Sequence, residues 1–286
     1  MFNFLKGLLV LFFLQCFSLS NAHAENKISI FVSILPQQYF VRQIGNDLVD
    51  VRVMVGPGQS PATYEPTPQQ MAALSKADVY FRIGVPFESA WIDKIKLNNK
   101  NLIIVECCEL ISDLQKEGHS HDINYDPHVW TSPKNVIKIA ELIKKYLVKV
   151  DEKNIDTYIA MEKKFKEKIL ELDKNIKDKI RNLKDRILIV SHPSWGHFSH
   201  EYGFTQVSME QEGKEIQARS LVKLIKMAKH NNVEAIFVQP QFNDRAAKVI
   251  ANELNAEIIV LDPLALNYIE NMNIVTDSIV KGLARE

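Results

Sequence analysis

Residues 151–183 read DEKNIDTYIAMEKKFKEKILELDKNIKDKIRNL, a stretch rich in lysine and free of proline and glycine. Ile155, Tyr158, Phe165, Ile169, Leu172, Ile176, Ile180 and Leu183 fall on a ladder of three- and four-residue steps, which lines one face of an α-helix. At 1.5 Å per residue, about 30 residues span roughly 45 Å, longer than a single lobe needs. A dimerising coiled coil would keep strict heptads. This stripe drifts from them, so the segment reads as a rigid spine crossing two lobes.

On both sides of the spine, short β-branched runs alternate with amphipathic stretches, the pattern of a mainly parallel sheet covered by helices. Before it, strands are expected at Ile28 to Ile34, Val49 to Val55, Val79 to Ile83 and Leu102 to Glu106. Helices are expected near Gln37 to Ile44, Pro68 to Ser75, Phe87 to Ile95 and Pro133 to Val148. After it, strands are expected at Ile187 to Ser191, Thr205 to Met209, Ala235 to Val238 and Glu257 to Leu261. Helices near Ala218 to Lys229, Arg245 to Leu254 and Ile269 to Leu283 complete that half. The fold class is α/β, with an N-terminal lobe over 25–150, a linking helix over 151–183 and a C-terminal lobe over 184–286.

Residues 1–24 have the form of a signal peptide. Lys6 precedes an apolar run from Gly7 to Leu19, and Ala22-His23-Ala24 is a small-x-small cleavage pattern. The run is short for a membrane span. Export to the periplasm is expected. Cys16 would suit a lipoprotein, but Leu14-Gln15 places glutamine before it, so a cleaved, soluble form is preferred. Lysine plus arginine equals aspartate plus glutamate at 35 each, so no global field draws nucleic acid or an acidic membrane. Beyond the leader only Cys107 and Cys108 remain. Adjacent cysteines cannot build a framework of long disulfides or a C-x-x-C zinc site; they read as a strained vicinal disulfide or as two buried thiols, and two buried thiols are preferred.

Ligands in open α/β sheets sit beyond the carboxyl ends of strands. Three candidates fall at such places or at a helix start. His192 follows the strand Ile187-Leu188-Ile189-Val190-Ser191, Asp262 follows Ile258-Ile259-Val260-Leu261, and His128 precedes Thr131-Ser132-Pro133, a helix-capping sequence. Neutral imidazoles with one carboxylate suit a borderline ion such as zinc. His197 and His200 follow His192 at helical spacing but are read as packing or solvent-facing. His119 and His121, in the polar stretch Gly118 to Asp122, form a His-x-His suited to transient metal capture.

Together these segments resemble one family. Gly58-Gln59-Ser60-Pro61-Ala62-Thr63-Tyr64-Glu65-Pro66-Thr67-Pro68, the stretch Asp126 to Pro133, Ser191 to Tyr202, Val238-Gln239-Pro240-Gln241-Phe242 and Leu261-Asp262-Pro263-Leu264 are similar to the metal-binding solute receptors of ABC importers, a family that includes cell-adhesion-type lipoproteins. The resemblance implies two Rossmann-like lobes bridged by one long helix. It implies a divalent ion, zinc in preference to manganese, held in the cleft by His128, His192 and Asp262. It also implies delivery to a permease in the inner membrane by a protein that is monomeric and not an enzyme. Such receptors usually carry a further histidine where this chain has Ala62. A fourth ligand would then be water, Glu65, Glu212, or a histidine from 118–122, with Glu65 the better candidate for a salt bridge anchoring its loop. Two other classes compete. A metallohydrolase with an open zinc site would need a general base, yet no His-Glu-x-x-His, Gly-x-Ser-x-Gly or phosphate-loop pattern occurs. A receptor that has lost metal and takes another ligand would explain Ala62.

Overall fold

In the computed structural model, residues 27–108, 126–211 and 214–284 are described; the side chains of residues 211, 214 and 215 are not. The first sheet contains β1 (Ile28–Val32), β2 (Val49–Val53), β3 (Val79–Arg82) and β4 (Ile103–Glu106) in the order β2-β1-β3-β4. All its pairs are parallel, with Ile30 beside both Val51 and Val79. The second sheet contains β5 (Ile187–Val190), β6 (Thr205–Ser208), β9 (Ala235–Val238) and β10 (Glu257–Val260) in the order β10-β9-β5-β6, again all parallel. Between β6 and β9 lies a small antiparallel hairpin of β7 (Glu210–Gln211) and β8 (Lys214–Glu215).

The helices of the first lobe are α1 (Leu35–Gly45), α2 (Pro68–Leu74), α3 (Pro86–Asn98) and α4 (Pro133–Val150). The linking helix is α5 (Ile155–Ile180), and the second lobe carries α6 (Gly196–Tyr202), α7 (Ala218–His230), α8 (Arg245–Leu254) and α9 (Tyr268–Leu283). Each expected element is present, most of the strands ending one or two residues early. The spine is shorter than the 151–183 pattern because its start is locally capped. Asp151 Oδ2 accepts from Asn154 Nδ2 at 2.7 Å and from Tyr158 Oη at 2.6 Å, holding residues 152–154 as a 3₁₀ turn. At its other end the Arg186 guanidinium donates to the Ile180 carbonyl at 2.8 Å. The seven-residue α6 bears out the helical spacing of His197 and His200, whereas the β7–β8 hairpin has no counterpart among the expected elements, its two-residue strands being too short for periodicity to register.

The apolar ladder of α5 is buried from Tyr158 to Ile180, interrupted by Glu162, which is also buried and accepts from Lys144 Nζ of α4 at 3.2 Å. The same helix serves both lobes. Phe165 meets Phe40 of α1 with ring centroids 5.9 Å apart, while Tyr202 Oη of α6 donates to Asp173 at 3.0 Å and Lys179 pairs with Asp277 of α9 at 2.6 Å. Alternation along the second sheet divides its burial by face. Leu188, Val190, Ala235 and Phe237 join a core continuous with the first lobe, whereas Ile189, Ile236 and Val238 join a second core with Leu224 of α7 and Ala247 and Ile250 of α8.

Two buried hydrogen bonds tie the lobes behind the cleft. Trp130 Nε1 donates to the Pro263 carbonyl at 2.7 Å, and Tyr268 Oη donates to the Trp130 carbonyl at 2.9 Å. Cys107 and Cys108 are free and buried, as expected. Gln37 Nε2 approaches Cys107 Sγ and the Cys108 thiol donates to the Ile83 carbonyl, while burial pushes the Cys107 thiol far above its ordinary range. Among the described residues, no helix is long and apolar enough to cross a membrane.

Candidate metal-binding cleft

His128 stands directly before the 3₁₀ turn Val129–Thr131, which leads into α4. Ser132 caps that helix by accepting from Asn135 N, and Pro133 opens its first turn. Thr131 Oγ1 donates to the His128 carbonyl at 2.9 Å. Asp126 fixes the ring, since its Oδ1 accepts from the His128 backbone N–H at 2.9 Å and from Nδ1 at 2.7 Å.

His192 projects from the loop after β5. The loop is pinned where Ser191 N–H donates to the Phe237 carbonyl at 2.9 Å and Ser194 N–H to the His192 carbonyl at 2.8 Å. Glu210, opening the hairpin, takes His192 Nδ1 at 2.6 Å, and the Phe242 ring stacks on the imidazole at 4.1 Å and 15°. The two imidazoles meet edge to face across the cleft, centroids 5.2 Å apart and planes at 78°. With both Nδ1 atoms engaged, each Nε2 lacks a hydrogen-bond partner among the described residues. A carboxylate behind a histidine sets its tautomer and raises its basicity as a metal ligand.

Burial pushes the Asp126 carboxyl up, but the hydrogen bond from His128 and the charges of His128 and His197 outweigh it and leave it below the usual carboxylate range. For His192, burial dominates over the Glu210 hydrogen bond and holds the imidazole below its ordinary value. The neutral form, the one in which an imidazole can act as a metal ligand, is favoured.

Both rings line a cleft of about 560 Å³ with Ala62, Val85 and Trp130 on the first-lobe side and Gln206, Glu210 and Phe242 on the second. Asp262 is not brought into that lining. It lines an adjoining cavity of about 210 Å³ beside Gly56, Pro57 and Gly58, and Leu264 borders both spaces. Its Oδ1 accepts from Gln241 Nε2 at 3.0 Å and from Leu264 N–H at 2.9 Å, which leaves Oδ2 without a hydrogen-bond partner among the described residues. Accordingly no three His, Cys, Asp or Glu side chains already surround one point among the described residues.

Ala62 sits exposed on the cleft rim. Glu65 is exposed, outside the cleft lining, and forms no ion pair among the described residues. The expected salt-bridge anchor is therefore replaced by other contacts. Buried Tyr64 packs edge-on against Phe87 at 5.2 Å and donates to Gln70, and Phe87 N–H donates to the Pro61 carbonyl. Glu212, His119 and His121 lie outside the described residues. His197 does pack, as expected, but against Asp126 and Asn135 of the first lobe. Asp126, Glu210 and Phe242 were missing from the candidate set. Asp126 had a local signal, an acid two residues before a histidine with proline between; Glu210 and Phe242 reach His192 only through the fold.

The model of the family described as zinc-uptake complex component A, periplasmic, matches residues 30–282. A crystal structure of ZnuA superposes with a TM-score of 0.85 at 36% identity, covering 91% of this chain and all of that one. The manganese ABC transporter substrate-binding lipoprotein ScaA of Streptococcus gordonii is 30% identical over 268 residues, 85% of each protein. The zinc-binding lipoprotein AdcA of Streptococcus pneumoniae is 26% identical over 283 residues, which are 91% of this chain and 54% of that protein. The chain belongs to the zinc-uptake component A family, the metal-binding substrate-binding proteins of ABC importers.

Proposed function

We propose that this protein captures zinc in the periplasm and hands it to an ABC permease in the inner membrane, as a monomer and without chemical conversion. His128 and His192 are the principal ligands, each through Nε2. The observation that carries this is the pair of imidazole rings facing each other across an interlobe cleft, each backed by its own carboxylate. Such nitrogen donors favour zinc over manganese, although the relatives include proteins named for either metal.

Asp262 is the third ligand, through its free Oδ2, which asks the carboxylate to turn from the adjoining cavity past Leu264. Water completes the shell on the side of Ala62. Glu212 and the His119–His121 pair remain alternative donors, and Glu65 is disfavoured by its place outside the cleft. Residues 1–24 act as the export signal, and 25–150, 151–183 and 184–286 as lobe, linker and lobe. Relatives named as lipoproteins give lipid attachment at Cys16 more weight than Leu14-Gln15 alone does.

Metal analysis of protein purified without chelator, followed by calorimetric titration with zinc and with manganese, tests this function. Tight zinc binding with weaker manganese binding is expected. Tight manganese binding without measurable zinc binding would reject the choice of ion, and no binding of either would reject metal capture.

A further inference from the structure

We propose that Gly196 of the second lobe is a positioning residue for the metal site. Its missing side chain leaves the space in which the Asp126 carboxylate reaches and holds His128. The proposal rests on the assignment of His128 as a metal ligand. Gly196 opens α6, which packs against the 129–131 turn of the first lobe. Steric room, rather than backbone conformation, accounts for the glycine, because a Cβ there would lie 2.4 Å from Asp126 Oδ2 and 3.6 Å from its Cγ.

The end of a free side chain could swing away from such a methyl at little cost. Asp126 is not free, since its other oxygen accepts both the His128 backbone N–H and Nδ1. Its backbone is held from the second lobe too. Asn135 Nδ2 lies 3.5 Å from His197 Nδ1, and with that nitrogen as acceptor, His197 Nε2–H donates to the Asp126 carbonyl at 3.1 Å. The segment before Gly196 is tied down by Trp195 N–H donating to Gln206 Oε1 at 2.7 Å. A methyl at position 196 would therefore spare the fold and strain the two bonds that aim His128. The orientation of a first-lobe ligand thus depends on a glycine in the second lobe.

The test is a double-mutant cycle on zinc affinity, measured by competition with a chromophoric chelator, using the full chain and its Gly196→Ala, Asp126→Ala and double variants. Loss of a carboxylate behind a ligating histidine typically costs about 10–100-fold in metal affinity, and each single variant should weaken binding within that range. The double variant should bind no more weakly than Asp126→Ala, because the new methyl then enters vacated space. Losses that add, or wild-type affinity in Gly196→Ala, would overturn the proposal. Should Gly196→Ala prove too unstable to titrate, the Asp126→Ala background must restore its folding; failure to do so would also reject the role. His128→Ala runs alongside. Wild-type affinity in that variant would reject the site itself, whereas a large loss there with additive effects elsewhere would reject only the role of Gly196.

Discussion

Trp130 joins the cleft lined by His128 and His192 to the interlobe contact behind it. Its ring centroid stands 5.2 Å from that of His128, and its Nε1 donates across the lobes to the carbonyl of Pro263, the residue after Asp262. One side chain therefore touches one proposed ligand and holds the backbone beside another. Trp130→Phe should destabilise the metal-free protein by about 1–3 kcal/mol, because it leaves the buried Pro263 carbonyl unpaired, and should also weaken zinc binding. Thermal unfolding and titration of one preparation check both. Tyr268→Phe, which removes the donor to the Trp130 carbonyl, should lower stability with a smaller effect on zinc.

His128→Ala and His192→Ala should each abolish tight zinc binding while leaving the metal-free fold intact. Each ring lines the cleft rather than packing within either core, so its loss removes a donor and little buried apolar contact. Calorimetry supplies the affinity and far-UV circular dichroism the fold. Wild-type affinity in either variant would remove that histidine from the site.

Glu210 holds His192 as Asp126 holds His128, so Glu210→Ala should weaken zinc about 10–100-fold. Glu210→Gln, whose amide oxygen still accepts from Nδ1–H, should retain more of the affinity. Equal and severe losses in the two would instead argue that the carboxylate charge is what the site requires.

Zinc affinity should fall as pH drops below about 6.5, because protons compete for imidazole nitrogen. The His192 shift sets the sign for the metal-free protein. Its folded pKa lies below the ordinary 6.5 because burial disfavours the charged ring. Above 6.5 both folded and unfolded rings are neutral, and stability is at its full value. As pH falls from 6.5 through the folded pKa, the unfolded chain takes the proton first and stability declines. Denaturant midpoints between pH 5 and 8 should show this decline in the wild type and less of it in His192→Gln. A flat affinity over the same range would count against histidine ligation.

The spine was legible because its periodic apolar residues and lack of helix breakers are local properties that tertiary packing did not override. The strands were legible because a sheet buried on both faces demands near-continuous apolar runs such as Ile187 to Val190. His128 and His192 could be found because each sits at a chain-path boundary with its own turn chemistry. The outer carboxylates were harder. Glu210 lies 18 residues beyond His192, and its partner is settled by the placement of the β7–β8 hairpin, too short to leave a periodic signal. Gly196 carried no signal either, because its purpose is visible only once Asp126 of the other lobe stands against it. The pose of Asp262 was out of reach for the same reason, since Gln241 and the Leu264 N–H compete for its carboxylate.

Ala62 offers the most direct measure of how complete the coordination shell is. It is exposed on the rim of the same cleft that His128 and His192 line, so a histidine there can turn inward without displacing a buried group. The loop beneath it is pinned by Tyr64 and Phe87 rather than by residue 62, so its course should survive the change. If water fills that side of the ion, Ala62→His should tighten zinc binding by about tenfold or more, with tenfold worth about 1.4 kcal/mol, and Glu65→Gln should have little effect. If Glu212 already closes the shell, Ala62→His should gain little and Glu212→Gln should weaken binding severely. Zinc affinities of the three variants, set against a metal-bound crystal structure, separate an open site from a closed one.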